Sequence, residues 1–170
     1  GWILTAGRLF GPTHPTAQGW TYESPDGADH QFSSGNPSYT KDGSYLRMTD
    51  NVTSRTIDFP DRTIHTFEQD PFQQSEWLLK KVENGFAKTV SGNPLIRIDY
   101  ARDPATNMVS QWTITDLHGR AIQVYFHRYD LDGPLFHTYD HGPALFVQRV
   151  VLPSSTGTAT CEFQYHAATI

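Results

Sequence analysis

Eight histidines, eighteen carboxylates and a single cysteine carry most of the reactive chemistry in this chain of 170 residues. His137, Asp140 and His141 cluster in Phe136-His137-Thr138-Tyr139-Asp140-His141-Gly142. Histidines at i and i+4 share a face only on a helix. Gly133-Pro134 and Gly142-Pro143 bracket the cluster and argue for a loop, and no third ligand stands at a recognisable spacing. A metal site is therefore not expected. The aspartates follow turns: Asp26, Asp42, Asp61 and Asp132 sit where a carboxylate accepts nearby backbone N–H groups. A glycosidase needs two opposed carboxylates in a cleft. Asp99 and Glu162 could occupy an inward strand face, but nothing in their setting singles them out. There is no Gly-x-Ser-x-Gly elbow, dinucleotide fingerprint or Walker motif. The expectation is a non-enzyme with no catalytic residue, no metal and no cofactor. Cys161 alternates with Thr160 and Glu162 in a strand and reads as a buried structural thiol.

The aromatic residues admit two uses. Trp2, Trp20, Trp77 and Trp112, with Tyr22, Tyr39, Tyr45, Tyr100, Tyr125 and Tyr139, can fill a sheet face and pair across strands. They can also form a flat surface on which sugar rings stack. For a carbohydrate-binding module the residues would be Trp20, Tyr22, Trp112 and Tyr125. Trp20 and Trp112 recur at one position of an internal repeat, which favours the structural use.

Strands must position all of these groups. Runs rich in Thr, Val, Ile, Tyr, Phe and Trp alternate with polar residues, and 24 Gly and Pro residues fall between the runs. Leu95 to Tyr100 and Ala159 to Tyr165 alternate strictly, so each has one apolar and one polar face. Helical pattern is confined to Pro71–Glu83, where Ser75 could cap a short turn. The rival reading is a strand over Trp77 to Val82 that pairs with Leu95 to Tyr100, after a loop in the first half of the window. Tyr129 to Pro143 has no assignment. The net charge is −5, with no basic stripe, so a nucleic-acid partner is not expected. No run of 18 apolar residues encodes a membrane-spanning helix. The N-terminus shows no charged-then-apolar leader, and Gly1, entering strand-like sequence at once, reads as a cut within a longer chain.

A repeated unit organises the runs. Its copies are Trp20 to Phe32, Arg55 to Phe67 and Trp112 to Val124, with a shorter copy around Asp42-Gly43. Thr21, Thr56 and Thr113 stand five places before the turn residues Asp26, Asp61 and His118. His30, His65 and Ile122 follow four places after, and Phe32, Phe67 and Val124 six places after. The unit is a β-hairpin. Asp-Gly suits a tight two-residue turn that needs positive φ, and Arg62 in place of Gly predicts a different turn in the second copy. His30 and His65 are expected to hydrogen-bond across adjacent strands. A lone hairpin is marginal in water, so the units must lie side by side.

Ser24-Pro25-Asp26-Gly27-Ala28-Asp29-His30-Gln31-Phe32, Asp42-Gly43-Ser44-Tyr45-Leu46-Arg47-Met48 and Phe59-Pro60-Asp61-Arg62-Thr63-Ile64-His65-Thr66-Phe67 resemble the rearrangement-hot-spot (Rhs), or YD-repeat, proteins. Thr115-Asp116-Leu117-His118-Gly119-Arg120 is similar to that family's Tyr-Asp-x-x-Gly-Arg unit, with Thr in place of Tyr. Gly1-Trp2 with Gly7-Arg8-Leu9-Phe10 is similar to the segment that introduces such repeats. The resemblance covers most of residues 1–126, weakens over 127–142 and partly returns. It implies a long β-strip wound into a shell around a C-terminal toxin, in a large bacterial protein that is secreted or surface-associated. The chain would be an N-terminal part of that shell. Its partners would be the rest of its own chain and the enclosed cargo, and no catalytic residue carries over.

The fold expectation is all-β: one antiparallel sheet of consecutive hairpins, about a dozen strands, at most a short helical turn, and an open strip rather than a closed sandwich. The alternative function is a carbohydrate-binding β-sandwich on a cell surface, with surface carbohydrate as partner; a further one is a small-ligand barrel, which would need closure around an apolar cavity.

Overall fold

The computed structural model describes residues 7–15, 17, 19–84, 93–130 and 143–165. These contain thirteen β-strands and no helix. The strands are β1 (Arg8–Phe10), β2 (Thr21–Glu23), β3 (Asp29–Gln31), β4 (Ser38–Tyr39), β5 (Arg47–Asp50), β6 (Ser54–Asp58), β7 (Thr63–Gln69), β8 (Glu76–Asn84), β9 (Ile96–Arg102), β10 (Val109–Asp116), β11 (Ala121–Asp130), β12 (Pro143–Ser154) and β13 (Gly157–Glu162). From β4 to β13 every strand neighbours the next in sequence, giving the expected open antiparallel sheet of hairpins. The window at 71–83 resolves as strand rather than helical turn. Its first part is a turn held by the Asp70 carboxylate, which accepts the Phe72 N–H at 2.8 Å. Its second part is β8, whose Trp77 and Leu79 alternate inward and whose Lys81 and Val82 pair with Arg97 and Ile96. Three partner strands outweigh the weak helical spacing.

Two compact units divide the chain. One is built on Thr5–Ile98 with Thr115–Gly119, the other on Asp99–Ile114 and Arg120–Ile170. In the first unit the strip branches. β1 pairs with both β8 and β2, and β2 pairs with β3. A bridge between Phe32 and Thr40, with the Lys41 N–H donating to the Gln31 carbonyl at 3.0 Å, ties the end of this branch to β4. The eight strands β1–β8 thus complete a circuit of hydrogen-bonded neighbours. Leu9, Tyr22, Phe32, Leu46, Met48, Ile57, Phe67 and Leu79, one from nearly every strand, are buried as its core. A bulge between Thr66 and Phe67 lets two consecutive residues of β7 be buried, breaking the strict alternation. The β4 side carries its own caps. Ser33 exchanges bonds with Tyr39, and the Asn36 side-chain amide donates to the Asp50 carbonyl and accepts its N–H.

The second unit differs in kind. Among its described residues only Val124 and Val147 are buried apolar side chains. All eight residues of β10 are half-buried, and all six of β13 are exposed. Cys161 is therefore exposed, which corrects the expectation of a buried thiol. It lies on an outermost strand with neither face covered by the described residues.

The three full repeat copies share one turn, and it has three central residues rather than the expected two; the shorter copy around Asp42-Gly43 instead closes a wider loop, with the Thr40 N–H donating to the Leu46 carbonyl at 3.1 Å. Ser24 N–H donates to the Ala28 carbonyl and Gly27 N–H to the Ser24 carbonyl, both at 2.9 Å. Phe59, Arg62 and Thr63 repeat this pattern with two bonds of 2.9 Å. The third central residue takes left-handed φ each time: 84° at Gly27, 69° at Arg62 and 78° at Gly119. A type I turn followed by a left-handed residue makes this hairpin loop. Arg62 adopts it at a steric cost of about 1–2 kcal/mol, so the second copy's turn does not differ. Asp26, Asp42, Asp61 and Asp116 each accept an N–H two residues on, from Ala28, Ser44, Thr63 and His118. Those bonds are what the repeated carboxylates do in the fold. Val52 is 87% exposed at φ 70° in the β5–β6 turn, an unusual conformation for a β-branched residue.

Candidate functional site

The four aromatic residues named for sugar stacking are engaged by their own units. Tyr22 is 1% exposed, with its ring edge-on to Phe59 and Phe67 at 5.8 and 5.9 Å and stacked on His30 at 5.9 Å. Burial pushes its phenol up to about 12, aided by the nearby Asp26 carboxylate. Trp20 is half-buried and meets Trp77 edge-on at 5.7 Å. In the second unit Trp112 packs edge-on against Tyr100 and Phe126 at 5.8 and 5.1 Å. Tyr125 lies under the Arg149 guanidinium at 4.0 Å and donates its hydroxyl to Gln123 at 2.9 Å. Trp20 and Tyr22 thus belong to one unit, Trp112 and Tyr125 to the other.

The buried Arg55 had no signal in the sequence beyond its place in the repeat. Alternation along β6 points it inward beside Ile57. Its guanidinium carbon lies 4.6 and 4.3 Å from the rings of Trp20 and Trp77, and Nη1 reaches Asp50 Oδ1 at 2.7 Å. The indole faces supply the attraction that burial takes from water.

The histidines divide. His30 Nδ1 lies 2.6 Å from Asp42 Oδ2, so its partner is a turn of the next hairpin rather than a neighbouring strand. Asp42 is held well below the carboxylate range, mainly by the Ser44 hydroxyl and N–H. His65 departs from the expected hydrogen bond. Its Nδ1 is buried without a partner, and its ring packs on Phe59 at 4.2 Å. Burial lowers its pKa to about 4, against a smaller upward pull from Asp61. Asp99 is half-buried on β9, and Glu162 is exposed on β13. His137, Asp140 and His141, with Trp2, Tyr139 and Asp132, lie outside the described residues. Among the described residues no group of three His, Cys, Asp or Glu side chains is placed to hold a metal ion.

Sequence reasoning missed two features. One is a polar pocket on β1–β3, lined by Arg8, Phe10, His14, Ala17, Thr21, Glu23 and Asp29. The hairpin alignment could have placed Glu23 opposite Asp29, but not β1 beside them. The other is the outer edge of β13. Phe163 N–H donates to the Gln148 carbonyl at 2.9 Å, which sets the phase of the β12–β13 ladder. Bonded pairs alternate in an antiparallel ladder. Cys161 and Ala159 therefore bond inward, while Thr158, Thr160 and Glu162 turn their backbone groups to the open side. Pro153, which has no N–H, stands opposite Thr158 at a non-bonded position.

No protein-family model, curated protein or solved structure matches the chain.

Proposed function

We propose that this chain is a structural segment of an Rhs-type shell, a β-strip that walls off a polypeptide cargo in a secreted or surface-associated bacterial protein. One observation carries the reading: among the described residues β10 is only half-buried, β13 is exposed along its whole length, and β13 pairs on one side alone. A sheet normally buries one face against another layer. One that lacks a packed layer suits a wall lined by a loosely held cargo. The repeated hairpin turn supplies the means of extending the wall. The capped β4 side and the filled core of the first unit fit a strip that grows from the β13 edge alone.

The same edge gives the test. An uncapped strand carries no charge block, proline or bulge against pairing with another strand. Sedimentation velocity over a concentration series is expected to show reversible self-association of the isolated chain. Thr160→Pro removes an outward N–H without touching the β12–β13 ladder and is expected to leave a monomer. A chain that stays monomeric throughout, or a proline variant that associates equally, overturns the reading. A monomer that binds members of a glycan panel would replace it with carbohydrate recognition.

A further inference from the structure

The pocket on the first unit has about 150 Å³ of space, room for about five water-sized groups. Its walls come from two registered rows. Arg8, Glu23 and Asp29 stand opposite one another across β1, β2 and β3, and Phe10 stands opposite Thr21 in the next row on the same face. The segment after β1 supplies His14 and Ala17.

The charges do not balance. Glu23 and Asp29 are like charges placed directly opposite, an unfavourable cross-strand pair. Arg8 Nη2 answers Glu23 Oε2 at 3.1 Å, and Asp29 joins no ion pair among the described residues. His14 is drawn toward a third carboxylate, with Nε2 at 3.7 Å from Glu76 Oε1. Thr21 is only 4% exposed and its hydroxyl has no partner. A buried hydroxyl without a partner, in the wall of a polar pocket, is a group that a ligand can satisfy. Phe10 offers little free ring face, because Arg8 lies over it at 5.1 Å and His14 packs against it at 4.4 Å. That disfavours a stacked sugar.

We propose that this pocket binds a primary alkylammonium group. The ammonium carries three donors and one positive charge. It would meet the unanswered Asp29 carboxylate and the Thr21 hydroxyl and share the Glu23 carboxylate with Arg8, whose Nη2 reaches both Glu23 oxygens at 3.4 and 3.1 Å, with its methylenes against Ala17. The group could belong to a lysine side chain of a polypeptide or to a free polyamine. The site does not depend on the shell reading.

The test is a backbone-amide NMR titration of the full chain with n-butylammonium, 1,4-diaminobutane, Nα-acetyl-lysine methylamide and methyl glucoside. The amines are expected to shift Ala17, Thr21 and Asp29 with a dissociation constant on the order of 1 mM. Asp29→Asn is expected to weaken binding about tenfold, and Thr21→Val about threefold. Arg8→Gln frees Glu23 and is expected to tighten binding about threefold, a gain that mere loss of structure does not produce. Preference between the diamine and the lysine amide assigns the source. No shift at these residues, unchanged affinity in Asp29→Asn, weaker binding in Arg8→Gln, or a response to the glucoside alone overturns the proposal.

Discussion

Phe67→Ala is expected to destabilise the first unit by about 3–5 kcal/mol, the usual range for deleting a fully buried phenyl ring. Phe67 is 0% exposed, lies opposite Arg55 on β6 and Leu79 on β8, and meets Tyr22 edge-on. Its loss leaves a cavity at the centre of a closed strand circuit, where neighbouring backbones cannot collapse to fill it. Urea denaturation followed by tryptophan fluorescence measures the change. A cost below about 1 kcal/mol would mean that β1–β8 do not enclose a shared core.

Acid is expected to weaken the same unit through His65. Its folded pKa, about 4, lies below the ordinary value of 6.5. The folded state therefore binds the proton less readily than the unfolded chain. The contribution is fully present above 6.5 and is lost as pH falls from 6.5 toward 4. A tenfold difference in proton affinity is about 1.4 kcal/mol, and solvent at the ring edge reduces the total to about 2 kcal/mol. Asp26, Asp42 and Asp61 have lowered pKa values and act in a separate window, below 3.8. Their stabilisation is present above that value and fades as they protonate. His65→Phe is expected to keep stability at pH 7 and flatten the profile between 6.5 and 4. An unchanged slope in the variant would assign the acid effect elsewhere.

The sequence makes local structure legible and long-range pairing much less so. Asp26-Gly27 and Asp42-Gly43 mark turns through one side chain and one backbone preference, and both turns are found. Arg62 shows the limit: its type argues against left-handed φ, yet the flanking β6 and β7 ladders impose it. The strand over 77–82 is legible as a pattern, while its pairing with β1, some seventy residues away, is not. That pairing turns a simple strip into a branched sheet and creates both the closed core and the polar pocket. Cys161 misleads because alternation shows only that a strand has two faces. Whether either face is covered depends on layers the local sequence does not specify.

The shell reading rests on the open edge, and hydrogen exchange at single amides of β13 probes it most directly. The ladder holds Ala159 and Cys161 inward and leaves Thr158, Thr160 and Glu162 facing outward. The account predicts protected amides at 159 and 161 at every concentration. It also predicts fast exchange at 158, 160 and 162 in dilute solution, giving way to protection as concentration rises and edges pair. Outward amides that stay unprotected at the highest concentration, with the inward ones protected, would show a finished edge and contradict the claim that the wall extends from β13.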